Sequence, residues 1–233
     1  LNYMKVGILT HMGLGDHLVC NGLVRHFAGV HDEIVLYAKH HNVPSVKFMY
    51  NDLPNVSVVG VDDDHDAWRK QEPATIRTGI FLGPEWNMMT KCFCYAFYEN
   101  AGLDRSLMHS KFHVQRDLES EEAFYKKVTD HIGTDKYIVV HEDPSRFQPI
   151  RGVDESKYPV IRICRGYFPI GSESIFDYCT LIARAQEFHC YDGCFSMMTE
   201  LLKLRSKDSF LHRYVRENTD PNTEEFMRFT IVR

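Results

Sequence analysis

The sequence predicts an α/β protein of two consecutive units, each a parallel sheet with helices packed on it. Three observations predict this. Short β-rich apolar runs alternate with segments whose apolar residues recur at helical spacing. That alternating series runs twice, with the charged, helix-patterned stretch Arg116–Ile132 between the two passes. The 233 residues are 44% hydrophobic and 25% charged, enough to bury a proper core. No apolar run approaches the roughly 20 residues that a membrane span needs, so no transmembrane segment is expected. A net charge of -5 lacks the basic footprint of a nucleic-acid binder. No charged n-region followed by an apolar h-region opens the chain, so the expected compartment is cytoplasmic. Seven cysteines, none in CxxC spacing and several inside apolar runs, read as reduced, buried thiols.

The first pass begins with the strand Tyr3–Thr10, the polar-glycine stretch His11-Met12-Gly13-Leu14-Gly15-Asp16, and a helix carrying Leu18, Val19, Leu23, Val24 and Phe27. Strands Glu33–Ala38 and Val56–Val61 follow, the latter after the breaker Asn51-Asp52-Leu53-Pro54-Asn55. Gly79–Leu82 reads as a fourth short apolar run, and Asn87–Ala101 as a helix stopped by Gly102. The second pass reads as strand Tyr137–His141, a polar loop through Arg151, strand Pro159–Cys164 and a Gly/Pro loop at Gly166–Gly171. Helix Ile175–Ala185, strand Glu187–Tyr191, helix Cys194–Leu204 and a tail with two β-like runs complete it. The domains expected are residues 1–117 and 118–233, with 118–135 as a connecting helix, the two facing each other across a cleft.

The run Gly13-Leu14-Gly15-Asp16-His17 sits between a strand and a helix, where open α/β sheets bind ligands. Glycines there let backbone approach an anion or a sugar. The dinucleotide fingerprint is incomplete: Leu18 stands where its third glycine belongs, and Tyr37-Ala38-Lys39 where its acidic residue belongs. Asp16 suits a helix N-cap, and it equally suits a general base.

The strand–Gly-Leu-Gly-Asp–helix opening resembles the N-terminal domain of GT-B glycosyltransferases, particularly the heptosyltransferase-like group and its small bacterial and viral relatives. Phe97-Tyr98-Glu99-Asn100-Ala101-Gly102-Leu103 with Phe112-His113-Val114-Gln115-Arg116-Asp117 resembles their interdomain junction. Tyr137 to Asp143 is similar to the first strand and loop of their second domain. Ile182 to Met198, with Asp192-Gly193-Cys194 at its centre, is similar to their donor-site strand, turn and helix. That group has Thr or Ser after the acidic residue of the turn. Here Gly193 and Cys194 follow, and Ser196 is the nearby hydroxyl, so the sugar specificity of the group is not carried over.

The resemblance implies two Rossmann-like domains and transfer of a sugar from a UDP- or GDP-sugar to a glycan hydroxyl, inverting and without metal or cofactor. Asp16 would be the base, with His17 as its understudy or orienting partner. The donor site would comprise Gly13, Gly15, His141, Arg146, Arg151, Phe168, Asp177, Asp192, Gly193, Cys194 and Ser196. The turn into the last helix offers backbone N–H groups to phosphate oxygens, and Asp192 could accept from sugar hydroxyls. Arginines supply bidentate donors to phosphate: Arg146 and Arg151 first, with Arg162 and Arg165 around the next strand. Tyr167-Phe168-Pro169 could stack on a nucleobase, and Glu173 or Asp177 could reach ribose hydroxyls.

Three alternatives remain open from sequence. One is a non-catalytic nucleotide- or glycan-binding module of the same fold. Another is a metal-dependent transferase using Asp62-Asp63-Asp64-His65-Asp66, which resembles the Asp-x-Asp motif of GT-A enzymes and also reads as a solvated turn. The third is an NAD(P)-linked oxidoreductase. Oligomeric state is not legible.

Overall fold

The apolar runs of the first pass pair as β1 (Lys5–Leu9), β2 (Glu33–Lys39), β3 (Val56–Val61) and a short β4 (Thr75–Arg77). In this computed structural model residues 4–78, 92–142, 148–164, 170–172, 174–215 and 227–233 are described. They fall into two units, described residues up to Gln115 in the first and those from Arg116 in the second.

All four strands of the first unit are parallel, in the order β3-β2-β1-β4. Parallel neighbours cannot be joined by a hairpin, so each crossover carries helix. Between β1 and β2 these are α1 (Leu14–Val19) and α2 (Asn21–Ala28). Between β2 and β3 it is α3 (Val43–Met49), which the sequence reading left unassigned, with Pro44 in its first turn and Val46 and Met49 buried. The Asp62–Asp66 run starts α4 (Asp64–Lys70), leading to β4. The expected strand Gly79–Leu82 lies outside the described residues, and the expected helix 87–101 is described from α5 (Phe93–Asn100) onward. A short α6 (Leu107–Ser110) closes the unit.

The second unit opens with α7 (Leu118–Ile132). Asp117 caps it by accepting from Ser120 N at 3.0 Å, and Gly133 ends it at φ 75°, a left-handed position suited to glycine. Its buried Glu121 takes the Arg116 guanidinium and the Thr180 hydroxyl, the latter at 2.8 Å. Thr180 belongs to α8 (Tyr178–Ala183), so this bond pins the two helices together. The sheet contains β5 (Ile138–His141), β6 (Val160–Ile163), β7 (Glu187–Cys190), β8 (Asp208–His212) and β9 (Thr230–Val232). All are parallel, ordered β6-β5-β7-β8-β9. Between β7 and β8 lies α9 (Cys194–Leu201). Between β5 and β6 the described residues form no helix. They run as a strap that packs Ile150, Val153 and Tyr158 onto Ile138 and Val140 of the sheet and onto Tyr191 just past β7.

Of the seven cysteines, Cys20, Cys92, Cys94, Cys179 and Cys190 are buried and Cys164 and Cys194 half-buried. No described helix is long and apolar enough to cross a membrane.

The α1–α2 break at Cys20 is bridged by the Tyr98 hydroxyl, which donates to Val19 O at 2.8 Å and receives Leu23 N at 3.2 Å. A Cβ on the neighbouring Gly22 would lie 2.2 Å from Leu107 O. Gly22→Ala must therefore push α2 off α6 and should cost about 1–3 kcal/mol in urea unfolding. A variant as stable as the parent would show that this approach is not tight.

Candidate active site

In each unit the strand order contains one place where consecutive crossovers leave in opposite directions, and the loops there part to form a crevice. The first unit has it between β1 and β4, the second between β5 and β7.

At the first lies the glycine loop. Asn42, in the 3-10 turn after β2, donates to Met12 O at 3.1 Å and fixes the loop against the neighbouring strand end. The N-cap of α1 is Gly13, not Asp16, which is the third residue of the helix. The Asp16 carboxylate folds back over the turn, and a Cβ on Gly13 would sit 2.6 Å from its Oδ2. Gly13 is thus the space that the carboxylate occupies, and Gly15 lies in the first helical turn. Asp16 remains half-buried, while His17 is 2% exposed. No described residue bonds its Nε2, and loss of hydration pushes the imidazole down to about 4. His17 is therefore neutral at pH 7 and nearly closed to solvent. His11 packs against Phe93 and Phe97, with ring centroids 5.6 and 5.5 Å away.

Three of the four carboxylates of the Asp62–Asp66 run have partners, while Asp64 Oδ1 is buried with none among the described residues. Asp63 caps α4 through Asp66 N at 2.8 Å, Asp66 accepts Lys70 Nζ at 2.7 Å, and Asp62 faces His40 Nε2 at 3.4 Å. Among the described residues no group of three or more His, Cys, Asp or Glu is arranged to hold a metal.

At the second crevice His141, the last residue of β5, stacks on Tyr191 (5.0 Å, 18°) and tilts onto Phe195 (4.3 Å). These rings bring the end of β5 beside Asp192-Gly193-Cys194. The N-cap of α9 is Gly193, which has no side-chain oxygen to offer the first-turn amides. Ser196 turns back instead: its Oγ accepts from Gly193 N at 3.0 Å and donates to Gly193 O at 2.8 Å, so this hydroxyl is spent on the backbone. Asp192 does not cap the helix. It accepts Arg213 Nη1 at 2.9 Å, both side chains nearly buried. Arg213, which the sequence reading missed, follows β8 in the 3-10 turn Arg213–Val215, so its charge reaches this edge from the neighbouring strand.

The other described donor-site candidates have partners of their own or stand exposed. Asp177 takes the Ser172 hydroxyl, and the adjacent Tyr178 meets Phe195 edge-on at 5.5 Å. Arg162 is ion-paired to Glu142 (2.9 Å) and to Glu155. Arg151 sits on the strap, exposed, and no described residue pairs with its guanidinium. Arg146, Arg165, Tyr167, Phe168 and Glu173 lie outside the described residues.

Two parallel α/β units in succession, each with its candidate residues at a crevice of the strand order, make up the two-domain architecture of GT-B glycosyltransferases. Solved structures share it. One is a glycosyl transferase family 9 protein from Veillonella parvula, 12% identical, covering 91% of this chain and 81% of its own, with a TM-score of 0.53. Another is the iron-containing dodecameric glycosyltransferase TibC of enterotoxigenic E. coli, 14% identical over 91% of this chain, with a TM-score of 0.57. A third is TibC, described as a heptosyltransferase, in complex with ADP-D-beta-D-heptose, 14% identical over 89% of this chain, with a TM-score of 0.55. This chain spans 58% and 57% of those two TibC chains, and the likeness is one of fold. No family model and no curated protein matches the sequence.

The buried His17 gives the first unit a pH dependence whose sign is fixed. The unfolded chain binds a proton near pH 6.5 and the folded one only near 4. Stability is therefore complete above pH 6.5 and falls as pH drops towards 4, by up to ~3 kcal/mol from this group. His17→Gln should flatten the difference in urea stability between pH 7 and 4.5 by about 2–3 kcal/mol. Equal pH slopes in both proteins would contradict the assignment.

Proposed function

We propose that this protein is a glycosyltransferase that moves a sugar from a nucleotide-sugar donor to a hydroxyl acceptor, inverting and without a metal. The observation that carries the reading is the second unit's crevice. There a glycine-capped helix of eight residues begins beside Asp192, at the carboxyl ends of parallel strands. First-turn amides and the helix dipole favour a diphosphate at such a place. Of the described arginines expected to bind phosphate, Arg162 is neutralised by Glu142 and Glu155, which leaves Arg151 as the cation for the leaving group. Asp192, held by Arg213, keeps lone pairs that can accept from sugar hydroxyls.

The chemistry then has two parts. The Asp16 carboxylate takes the proton of the acceptor hydroxyl as that oxygen bonds to the anomeric carbon. The bond from that carbon to the diphosphate breaks, and the departing negative charge is met by the α9 amides and Arg151. His17, neutral and enclosed, supports the turn and leaves the proton to Asp16. Capping and ion pairing of the Asp62–Asp66 run support a mechanism that does not draw on it. TibC is described with an ADP-sugar, so adenine joins uracil and guanine among the donor bases to test.

A thermal-shift panel of UDP-, GDP- and ADP-sugars should raise the melting point with at least one donor, by about 2.7 kcal/mol of stabilisation at a hundredfold excess over Kd, and NAD should not. Stabilisation by NAD alone would contradict the reading. Asp16→Asn should lower transfer by roughly 10²–10⁴-fold with donor affinity nearly unchanged, and EDTA should leave turnover intact. Undiminished turnover in the variant would remove Asp16 from the mechanism. Nucleotide binding with no transfer from any donor would favour a binding module.

A further inference from the structure

Beneath the strap of the second unit runs a line of polar groups, two buried and two half-buried, that the proposed chemistry does not use. Glu187 and His189 lie on β7, His212 on β8 and Tyr214 just beyond it. His189 Nε2 is 3.0 Å from Glu187 Oε2, and His189 Nδ1 is 2.9 Å from His212 Nε2. His212 Nδ1 is 3.1 Å from the Tyr214 hydroxyl, which receives the backbone N–H of Arg151 at 2.6 Å. His189 is 3% exposed and His212 2%.

The proton positions follow from the end groups. A carboxylate only accepts, so His189 Nε2 donates to Glu187. Neutral His189 then accepts at Nδ1 from His212 Nε2–H, and His212 accepts at Nδ1 from the Tyr214 O–H. The Tyr214 oxygen is left to accept from Arg151. The line then donates from the strap towards Glu187, with Arg151 O, 3.4 Å from the Tyr214 oxygen, as a second and longer acceptor for the tyrosine proton. Burial lowers both imidazoles, His212 to about 4 with His189 beside it, which keeps the pair neutral at pH 7.

We propose that Tyr214 is a positioning residue for Arg151: the relay Glu187–His189–His212–Tyr214 fixes the strap backbone where Arg151 leaves it, so that the guanidinium is held ready for an anionic diphosphate. The role of the anion rests on the reading of the second crevice given above; the hold on the strap does not. Two neighbours make the hold specific. Ile150 N donates to Glu142 Oε1 at 3.2 Å, and Gly152 stands at φ 79°, so the strap is tied just before Arg151 and takes a left-handed turn just after it. With the backbone fixed, less side-chain and loop freedom is lost when an anion binds.

The relay also makes the hold sensitive to acid. A second proton on His189 would set two donors face to face. One on His212 would make Nδ1 a donor, so that it competes with the Arg151 N–H for the Tyr214 oxygen and turns the Tyr214 O–H away from His212. Among the described residues, Lys157 of the strap lies 3.7 Å from Glu187 Oε1 and Asp154 lies 3.8 Å from Lys157, while Asp208 stands opposite Glu187 in the register of β7 on β8.

Tyr214→Phe keeps the ring and deletes the bond, and hydrogen exchange reads the result without any ligand. Protection of the Arg151 amide should fall at least tenfold at pH 7 while β7 and β8 amides hold. The parent should lose the same protection between pH 6.5 and 4, and the variant should show no such pH dependence. Unchanged protection, or the same pH profile in both, would overturn the proposal. Titration with inorganic pyrophosphate supplies the second arm. Tyr214→Phe and Arg151→Ala should each weaken binding about fivefold, and the double variant no further. Pyrophosphate binding that ignores Tyr214→Phe would overturn the positioning role alone. A parent that binds no pyrophosphate would overturn the anion site of the proposed function, and the exchange arm would still decide the hold on the strap.

Discussion

Parallel strand pairing is the constraint on which everything else depends. Because neighbouring parallel strands cannot be joined by a hairpin, the chain must cross over after each one, and every strand ends on the same edge of its sheet. Gly13-Leu14-Gly15-Asp16 follows β1, Asp192-Gly193 follows β7, and Arg213 follows β8. None of these residues is near the others in sequence, yet each arrives at an edge where backbone amides and loop side chains converge. The strand orders β3-β2-β1-β4 and β6-β5-β7-β8-β9 then select one gap on each edge.

A parallel sheet must also be covered on both faces, since its strands are apolar on both. In the second unit helices do part of this, while the described residues of the β5–β6 connection cover Ile138 and Val140 without forming one. A strap without helix leaves backbone groups to be satisfied by side chains. Glu142 takes Ile150 N and Tyr214 takes Arg151 N for that reason. Covering the core and anchoring the backbone at Arg151 are thus one structural act.

The long apolar strands were legible in the sequence. Val56–Val61 forms over its full span, and Glu33–Ala38 is extended by Lys39 alone. Helix α7 was legible because its apolar period, Asp117 cap and Gly133 stop agree. Short elements were not. Thr75–Arg77 has three residues and two polar side chains, so only its pairing with β1 makes it a strand. The Asp62–Asp66 run looked like a turn or a metal motif because a helix N-terminus and a cation site both favour clustered carboxylates. The glycine loop and the Asp192-Gly193 turn could be read as a site from strand–loop–helix order. Their internal roles could not: Gly13 makes room for Asp16, and Asp192 is held by Arg213, 21 residues away. His189 and His212 look like ordinary strand residues in sequence, and only the register of β7 on β8 brings them to 2.9 Å.

On the proposed reading the first turn of α9 receives the diphosphate. Amide hydrogen exchange, with and without the nucleoside diphosphate that stabilises the protein most, addresses it directly. Added protection is expected at Gly193, Cys194, Phe195 and Ser196. Protection absent from that turn, or confined to Gly13–Asp16 in the first unit, would contradict it.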